Sequence, residues 1–423
     1  MVFHRISDRL SCLPENGRYG LLLMVLFLWS VPVFEEGRVT SPFKGQSAKA
    51  GSFNSAFYSE EELEFIEHKL TRLLLEEGFN GNVLVARYGM VIYEKSVGFS
   101  SFRHADPMNM ETAFQLASIS KTFTAAAVLI LQEQGLLDID SLVKKYIPGF
   151  PYEDITIRHL LTHTSGLQNY MWMVERYWNR KEFPDNEDVL QLFLRYPRHL
   201  NFSPGQQFDY SNTGFVFLAL LVERVSGQRF ASFIHEQIFE PLEMTRSFVN
   251  DLHHPVEIEN RAYGYRQSRG RHIRIPDDKL DGPLGDKGVF STAYDLYKWD
   301  QALHRSELLP LHVWQEAFSP GKLNNDSLIN YGLGWRLQRF IDKPIVHHPG
   351  RWHGFRTSFK RFVDDHSLVI VLSNNNQGLL PVIEGIQDIL YYDEKEIWMS
   401  THMKEVGLPA DEDSLETGVG QEP

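Results

Sequence analysis

The sequence predicts an α+β fold in which a single sheet is assembled from both ends of the ordered chain. Two observations carry this. Strand-like runs stand at 83–93 and again at 345–372, and a mostly helical insert from about Ala117 to Ala317 separates them. The helices must then divide between covering the sheet and building a second lobe. A site is expected in the cleft between the lobes.

Each element has a local reason. Ser59-Glu60-Glu61-Glu62 is a capping box, so ordered structure is expected to begin there with a helix that Gly78 ends. Val83 to Ala86 and Val91 to Tyr93 flank Tyr88-Gly89, which reads as a β-hairpin. Thr122 to Gln134 is apolar on nearly every face and should be a central buried helix stopped at Gly135. Thr156 caps a helix through His163. Phe215 to Val225 is a further apolar helix ended by Gly227, and Thr292-Ala293-Tyr294-Asp295 is a second capping box. Strands return at Ile345 to His347, Thr357 to Phe362 and Ser367 to Leu372, and a last helix runs from Pro381 to Tyr392.

Composition narrows the function classes. With 42 basic against 55 acidic residues the formal charge is −13, and phosphate-backbone binding needs a basic face. No nucleic-acid partner is expected. The nearest basic cluster, Arg266 to Arg274, is short and mixed. Cys12 is the single cysteine, so no internal disulfide, zinc cluster or cysteine nucleophile can form. Arg5, Arg9 and Arg18 precede a short apolar run, Leu21 to Trp29, that suits a signal segment or a short anchor. The expected organisation is 1–35 signal peptide or anchor, 36–58 linker, 59–395 a single folded domain and 396–423 acidic tail. It implies an extracytoplasmic protein, periplasmic or secreted if the segment is cleaved and held at the membrane through that N-terminal segment if it is an anchor.

Three short elements carry chemistry. Ser118-Ile119-Ser120-Lys121 puts a hydroxyl and an amine one helical turn apart on one face, where lysine can draw the proton from serine. The spacing alone is worth little, and Ser141-Leu142-Val143-Lys144 repeats it. Setting separates them: Ser118 opens the most apolar helix, whereas Ser141 lies among Asp138, Asp140 and Lys145. Tyr210-Ser211-Asn212 follows a turn at Ser203-Pro204-Gly205, and a tyrosine beside an ammonium can serve as general base. Asn212 can position a substrate carbonyl or the lysine. Tyr177-Trp178-Asn179 repeats that pattern. His348-Pro349-Gly350 lies on or just after a C-terminal strand, with histidine as a titratable donor and glycine admitting a close backbone approach. His159 and His163 stand at metal-ligand spacing, but no Glu follows His159 as zinc hydrolases require, and Gly-x-Ser-x-Gly is absent.

In this order and at these separations, the three elements resemble the serine β-lactamase and penicillin-binding-protein-like family. The likeness is to the branch of class C β-lactamases, DD-peptidases, D-aminopeptidases and esterases. His159 to Leu167, Phe202 to Gly205, Gly285 to Ala293, Tyr331 to Trp335 and Gly354-Phe355 add to it, over about residues 60 to 392. The resemblance implies a β-lactamase/transpeptidase-like fold with an antiparallel sheet flanked by helices. It also implies an acyl-enzyme formed on Ser118, with Lys121 and Tyr210 exchanging its proton and Asn212, His348, Gly350 and Arg351 meeting the substrate. The oxyanion would sit between the backbone N–H groups of Ser118 and Arg351. A small-molecule or peptide substrate is expected, with no metal or cofactor. Class C β-lactamases carry lysine where this chain has His348, and a hydroxyl residue where it has Pro349, so a peptidase or esterase is expected rather than a β-lactamase. The alternative is an inactive relative that binds cell-wall peptide or a protein partner.

Overall fold

The computed structural model describes residues 58–392. The expected leader, linker and acidic tail lie outside them. Helix α1 (Glu60–Glu76) starts where the capping box places it: Glu62 N–H donates to Ser59 Oγ at 3.2 Å, and Ser59 N–H to the Glu62 carboxylate at 2.7 Å. Strands β1 (Gly81–Arg87) and β2 (Met90–Val97) follow. Tyr88 and Gly89 both take positive φ, 52° and 75°, as a tight two-residue hairpin turn requires.

The insert holds α2 (Ser120–Glu133), α3 (Ile157–Leu161) and α4 (Asn212–Ser226) among shorter helices. Strands β3 (Arg336–Phe340), β4 (Lys343–Trp352), β5 (Phe355–Phe362) and β6 (Ser367–Ser373) then lead to α5 (Leu380–Leu390). The six strands run in the order β3-β4-β5-β6-β1-β2, each pair antiparallel. The join between the chain's two ends is β1 on β6, with Gly81 opposite Ser373 and Ala86 opposite Leu368.

Both faces of the sheet are covered. Val83, Val85, Val369 and Val371 pack under Ile66, Leu70 and Leu74 of α1 and Val382, Ile386 and Leu390 of α5. Leu84, Ala86, Phe359, Leu368 and Ile370 face the other way, into a larger core with α2 and α4. Burial on both faces explains why β6 reads as an unbroken apolar run instead of an alternating one. Helix α2 is buried from Ser120 through Leu131 and forms the axis of the helical lobe.

Three local expectations change. Helix α3 stops at Leu161, because His163 adopts φ 57° and turns the chain away. At Thr292 only half of the capping box forms: Asp295 N–H reaches Thr292 Oγ1 at 3.1 Å. The Asp295 carboxylate instead accepts from Arg246 N–H and the Ser247 hydroxyl, at 2.8 and 2.9 Å. Strands too short to show a period also appear, Phe114–Gln115 just before the helical insert and Phe248–Val249 and Val289–Ser291 within it, together with a hairpin at 265–274. Among the described residues no helix is long and apolar enough to cross a membrane.

Candidate active site

Ser118 lies on a 3-10 turn, Ala117–Ile119, that runs directly into α2. The buried Ala117 before it holds φ 51°, a conformation that costs free energy in a residue with a Cβ and that recurs at functional turns. Ser118 does not cap α2 with its side chain. Lys121 is 0% exposed; its Nζ donates to Ser118 Oγ at 3.2 Å and to the Asp286 carbonyl at 2.7 Å. An amine sealed from water and aimed at a hydroxyl is what the spacing predicts. The repeat at Ser141 behaves differently: Lys144 pairs with Glu153 at the surface.

Tyr210 sits just before α4, with its ring centroid 5.1 Å from Lys121 Nζ. The Arg336 guanidinium, from β3, lies 4.9 Å from the same centroid, and the His163 ring is 4.3 Å away. Among the described residues the Tyr210 hydroxyl forms no hydrogen bond to Ser118 or Lys121, and its contact with the lysine is through the ring. Tyr177, in the repeated pattern, stacks on Tyr196 at 3.9 Å, outside this cluster. Asn212 is the first residue of α4; its Nδ2 lies 4.0 Å from Met171 Sδ and its buried Oδ1 has no partner. That leaves one acceptor uncommitted beside the cleft.

Strand β4 carries the third element within its length, not after its end. His348, expected as a titratable donor, is 1% exposed. Its Nδ1 lies 2.8 Å from the Pro349 carbonyl, which can only accept, so Nδ1 carries the proton. Nε2 then accepts from the Tyr331 hydroxyl at 3.1 Å. Burial first, and then the charge of Lys121, hold His348 well below the ordinary histidine range, so the ring is neutral. Gly350 also has a different reason from the one expected. A Cβ there would come within 2.2 Å of Leu116 O and 2.1 Å of Thr357 Oγ1, so glycine admits the turn that bears Ser118. Thr357 Oγ1 donates to Leu116 O at 2.7 Å and ties that turn to β5. The Arg351 side chain is exposed. Pairing of β3 with β4 ends at Arg336 opposite His347, so residues 348–352 pair only with β5.

Sequence reasoning missed two features. Arg336 has a buried Nε without a partner and faces Tyr210 and Tyr331. Beneath Lys121, the buried Lys287 donates to Tyr170 Oη at 2.6 Å and lies 3.3 Å from Asp286 Oδ1, while Tyr170 Oη donates to Asp286 Oδ2 at 3.2 Å. This cluster anchors the peptide whose carbonyl receives Lys121. The available signal was the adjacent pair Asp286-Lys287 inside an apolar, glycine-rich stretch. The two histidines at metal spacing serve backbone groups: His159 Nδ1 accepts from Thr156 N–H and His163 Nδ1 from Ser211 N–H.

Comparison with known proteins agrees with this geometry. A penicillin-binding protein of Bacillus subtilis (strain 168) is 38% identical over 310 residues, covering 71% of this chain and 69% of that one. A D-aminopeptidase of Brucella anthropi is 26% identical over 319 residues, which is 74% of this chain but only 59% of the aminopeptidase. Among solved structures, a penicillin-binding protein from Bacillus halodurans superposes with a TM-score of 0.67 at 28% identity, covering 76% of this chain and 98% of that one. The Beta-lactamase family profile matches residues 74–391, and the chain therefore belongs to that family of serine hydrolases.

Proposed function

We propose that Ser118 is the nucleophile of an acyl-transfer reaction on a peptide-type amide or ester. The observation that carries this is the 3.2 Å contact between the fully buried Lys121 Nζ and Ser118 Oγ. Ser118 Oγ attacks the substrate carbonyl carbon, and its proton leaves through Lys121 or Tyr210 to the departing amine or alcohol. The developing oxyanion falls to the backbone N–H groups of Ser118 and Arg351. Water then releases the acyl group from Ser118 Oγ.

The substrate reading rests on the free edge of β4 and on Arg336. An extended chain can add to residues 348–352 by main-chain bonds, as strand-recognising sites do. No lysine occupies position 348, so carboxylate recognition passes to the Arg336 guanidinium, whose Nε has no hydrogen-bond partner among the described residues and whose forked donors match a carboxylate. This favours peptides with a free carboxylate and esters that retain one. Gly350 acts by letting the Ser118 turn dock, and Asn212 Oδ1 awaits a substrate N–H. The apolar run after Arg18 supports an extracytoplasmic site of action.

The deciding experiment labels the purified protein with a fluorophosphonate or a fluorescent penicillin, then assays D-peptides, simple esters and β-lactams. Labelling lost in Ser118→Ala, with turnover of peptides or esters, supports the reading. Equal labelling of wild type and Ser118→Ala overturns it.

A further inference from the structure

The tip of the β4–β5 hairpin needs more support than its own ladder gives. Beyond His347 only β5 pairs with β4, and the last pairs are Arg351 opposite Arg356 and Trp352 opposite Phe355. Like charges facing each other across a strand pair work against it. Yet Arg351 carries one of the two backbone N–H groups given above to the oxyanion, and such a donor is effective only when it is fixed in advance.

Support comes from the loop 278–287. Asp281, buried at 5% exposure, accepts from the Trp352 indole N–H at 2.6 Å and from His353 Nδ1–H at 3.2 Å, two consecutive residues of the tip. The Asp278 N–H bonds the same carboxylate at 2.8 Å and closes the loop on itself. The Asp278 carboxylate lies 3.7 Å from His353 Nε2, so both ring nitrogens face acids. Burial opposes a charge on His353, but the bond to Asp281 and the charges of Asp281 and Asp278 outweigh burial and the opposing Lys287, and its pKa is raised. Asp281 in turn is held below the ordinary carboxylate range despite its burial, chiefly by its bond to His353. The grip on the tip is therefore charge-assisted. The Trp352 ring also receives Lys287 Nζ, 4.8 Å from its centroid. Lys287 belongs to the cluster that seats the Asp286 carbonyl under Lys121, so one loop steadies both the lysine and the tip.

We propose that Asp281 is a positioning residue for the acyl transfer, holding Trp352 and His353 so that the Arg351 N–H stands ready at the oxyanion position. This rests on the hydrolase reading and on the place given there to Arg351. Asp281 itself touches no reacting atom. It acts through two side chains whose backbone continues directly from Arg351.

The test follows labelling of the full chain by a fluorophosphonate at increasing probe concentration. Ser118 Oγ displaces fluoride from phosphorus, and the phosphoryl oxygen takes the place of the oxyanion. Asp281→Asn is expected to lower the maximal labelling rate at least about tenfold, while the half-saturating probe concentration stays within about twofold. Trp352→Phe and His353→Phe each remove one donor and keep a ring, and each should lower the maximal rate at least about threefold. His353→Gln can still donate to Asp281 and should label faster than His353→Phe. In the Trp352→Phe, His353→Phe background, adding Asp281→Asn should change the rate by less than about twofold, because the carboxylate has already lost both handles. A wild-type maximal rate in Asp281→Asn, a loss in half-saturation alone, or losses that simply multiply overturns the proposal. So does labelling that EDTA abolishes and Zn²⁺ restores, which would make Asp278, Asp281 and His353 metal ligands. Where circular dichroism shows Asp281→Asn unfolded, Trp352→Phe decides, and a wild-type rate there overturns the proposal. Labelling that survives Ser118→Ala ends the hydrolase reading and this proposal with it. Labelling through Ser118 that is indifferent to Asp281 ends this proposal alone.

Discussion

Leu116 and Gly350 meet backbone to backbone: the Leu116 carbonyl occupies the place where a Cβ on Gly350 would go, 2.2 Å from it. The turn that presents Ser118 is thus seated on β4 through a missing side chain, and Thr357 Oγ1 bonds the same oxygen at 2.7 Å. Gly350→Ala should push the turn off the strand. Misplacement of a reacting atom by about 1 Å costs on the order of 100-fold in rate. The acylation rate of Gly350→Ala is therefore expected to fall at least that far, while urea unfolding shows a loss of only about 1–3 kcal/mol. Wild-type acylation kinetics in this variant would show that the contact does not position Ser118.

The Lys287, Asp286 and Tyr170 cluster makes a prediction about stability. Removing one member of a buried ion pair strands the other and costs about 3–5 kcal/mol, whereas removing both costs much less. Lys287→Met is expected to lower the urea midpoint strongly, and Asp286→Asn with Lys287→Met to recover part of the loss. If the two losses simply add, the pair is not coupled and the anchoring role for the Asp286 carbonyl falls with it.

How much of this was readable in advance follows from where the information lies. The capping box at Ser59, the hairpin at Tyr88-Gly89 and the buried helix opening at Ser118 are local signals, and each appears within a residue or two of its place. Lys121 was readable because three residues on a helix place two side chains on one face. Gly350 was singled out for a substrate's approach, and its contact with Leu116 was not readable because a glycine's partner can lie far away in sequence. The burial of His348 was not readable, because nothing local reveals Tyr331 or the Pro349 carbonyl. Arg336 was invisible for the same reason. One strand arginine looks like any other until β3 is placed beside β4 with Tyr210 against it.

Lys360 supplies a pH test on the outer face of the sheet. Its Nζ donates to Gln387 Oε1 at 2.8 Å without a carboxylate partner, and burial pushes its pKa down to about 8. The unfolded chain, with an ordinary lysine value, still holds that proton when the folded chain has released it. The unfolded state therefore binds more protons between about pH 8 and 10.5, and stability rises with pH across that window. The slope is at most about 1.4 kcal/mol per pH unit. Lys360→Met lacks the effect, so the wild-type midpoint should gain on that of the variant as pH is raised from 7.5 to 10. Parallel pH profiles would show that Lys360 keeps its charge when folded.

Tyr210→Phe isolates the phenol, because the ring's other duties survive the change. Lys121 Nζ and the Arg336 guanidinium both approach the ring face, at 5.1 and 4.9 Å from its centroid, and a phenylalanine ring keeps that face. Packing against His163 at 4.3 Å is also retained. What disappears is a hydroxyl that makes no hydrogen bond to Ser118 or Lys121 in the free protein, so folding stability should change by less than about 0.5 kcal/mol. If the hydroxyl moves a proton during acylation or deacylation, kcat on a hydrolysed ester should fall by about 100-fold or more with KM little altered. A variant that turns over normally would leave Lys121 as the sole proton carrier and reduce Tyr210 to a packing surface between two cations.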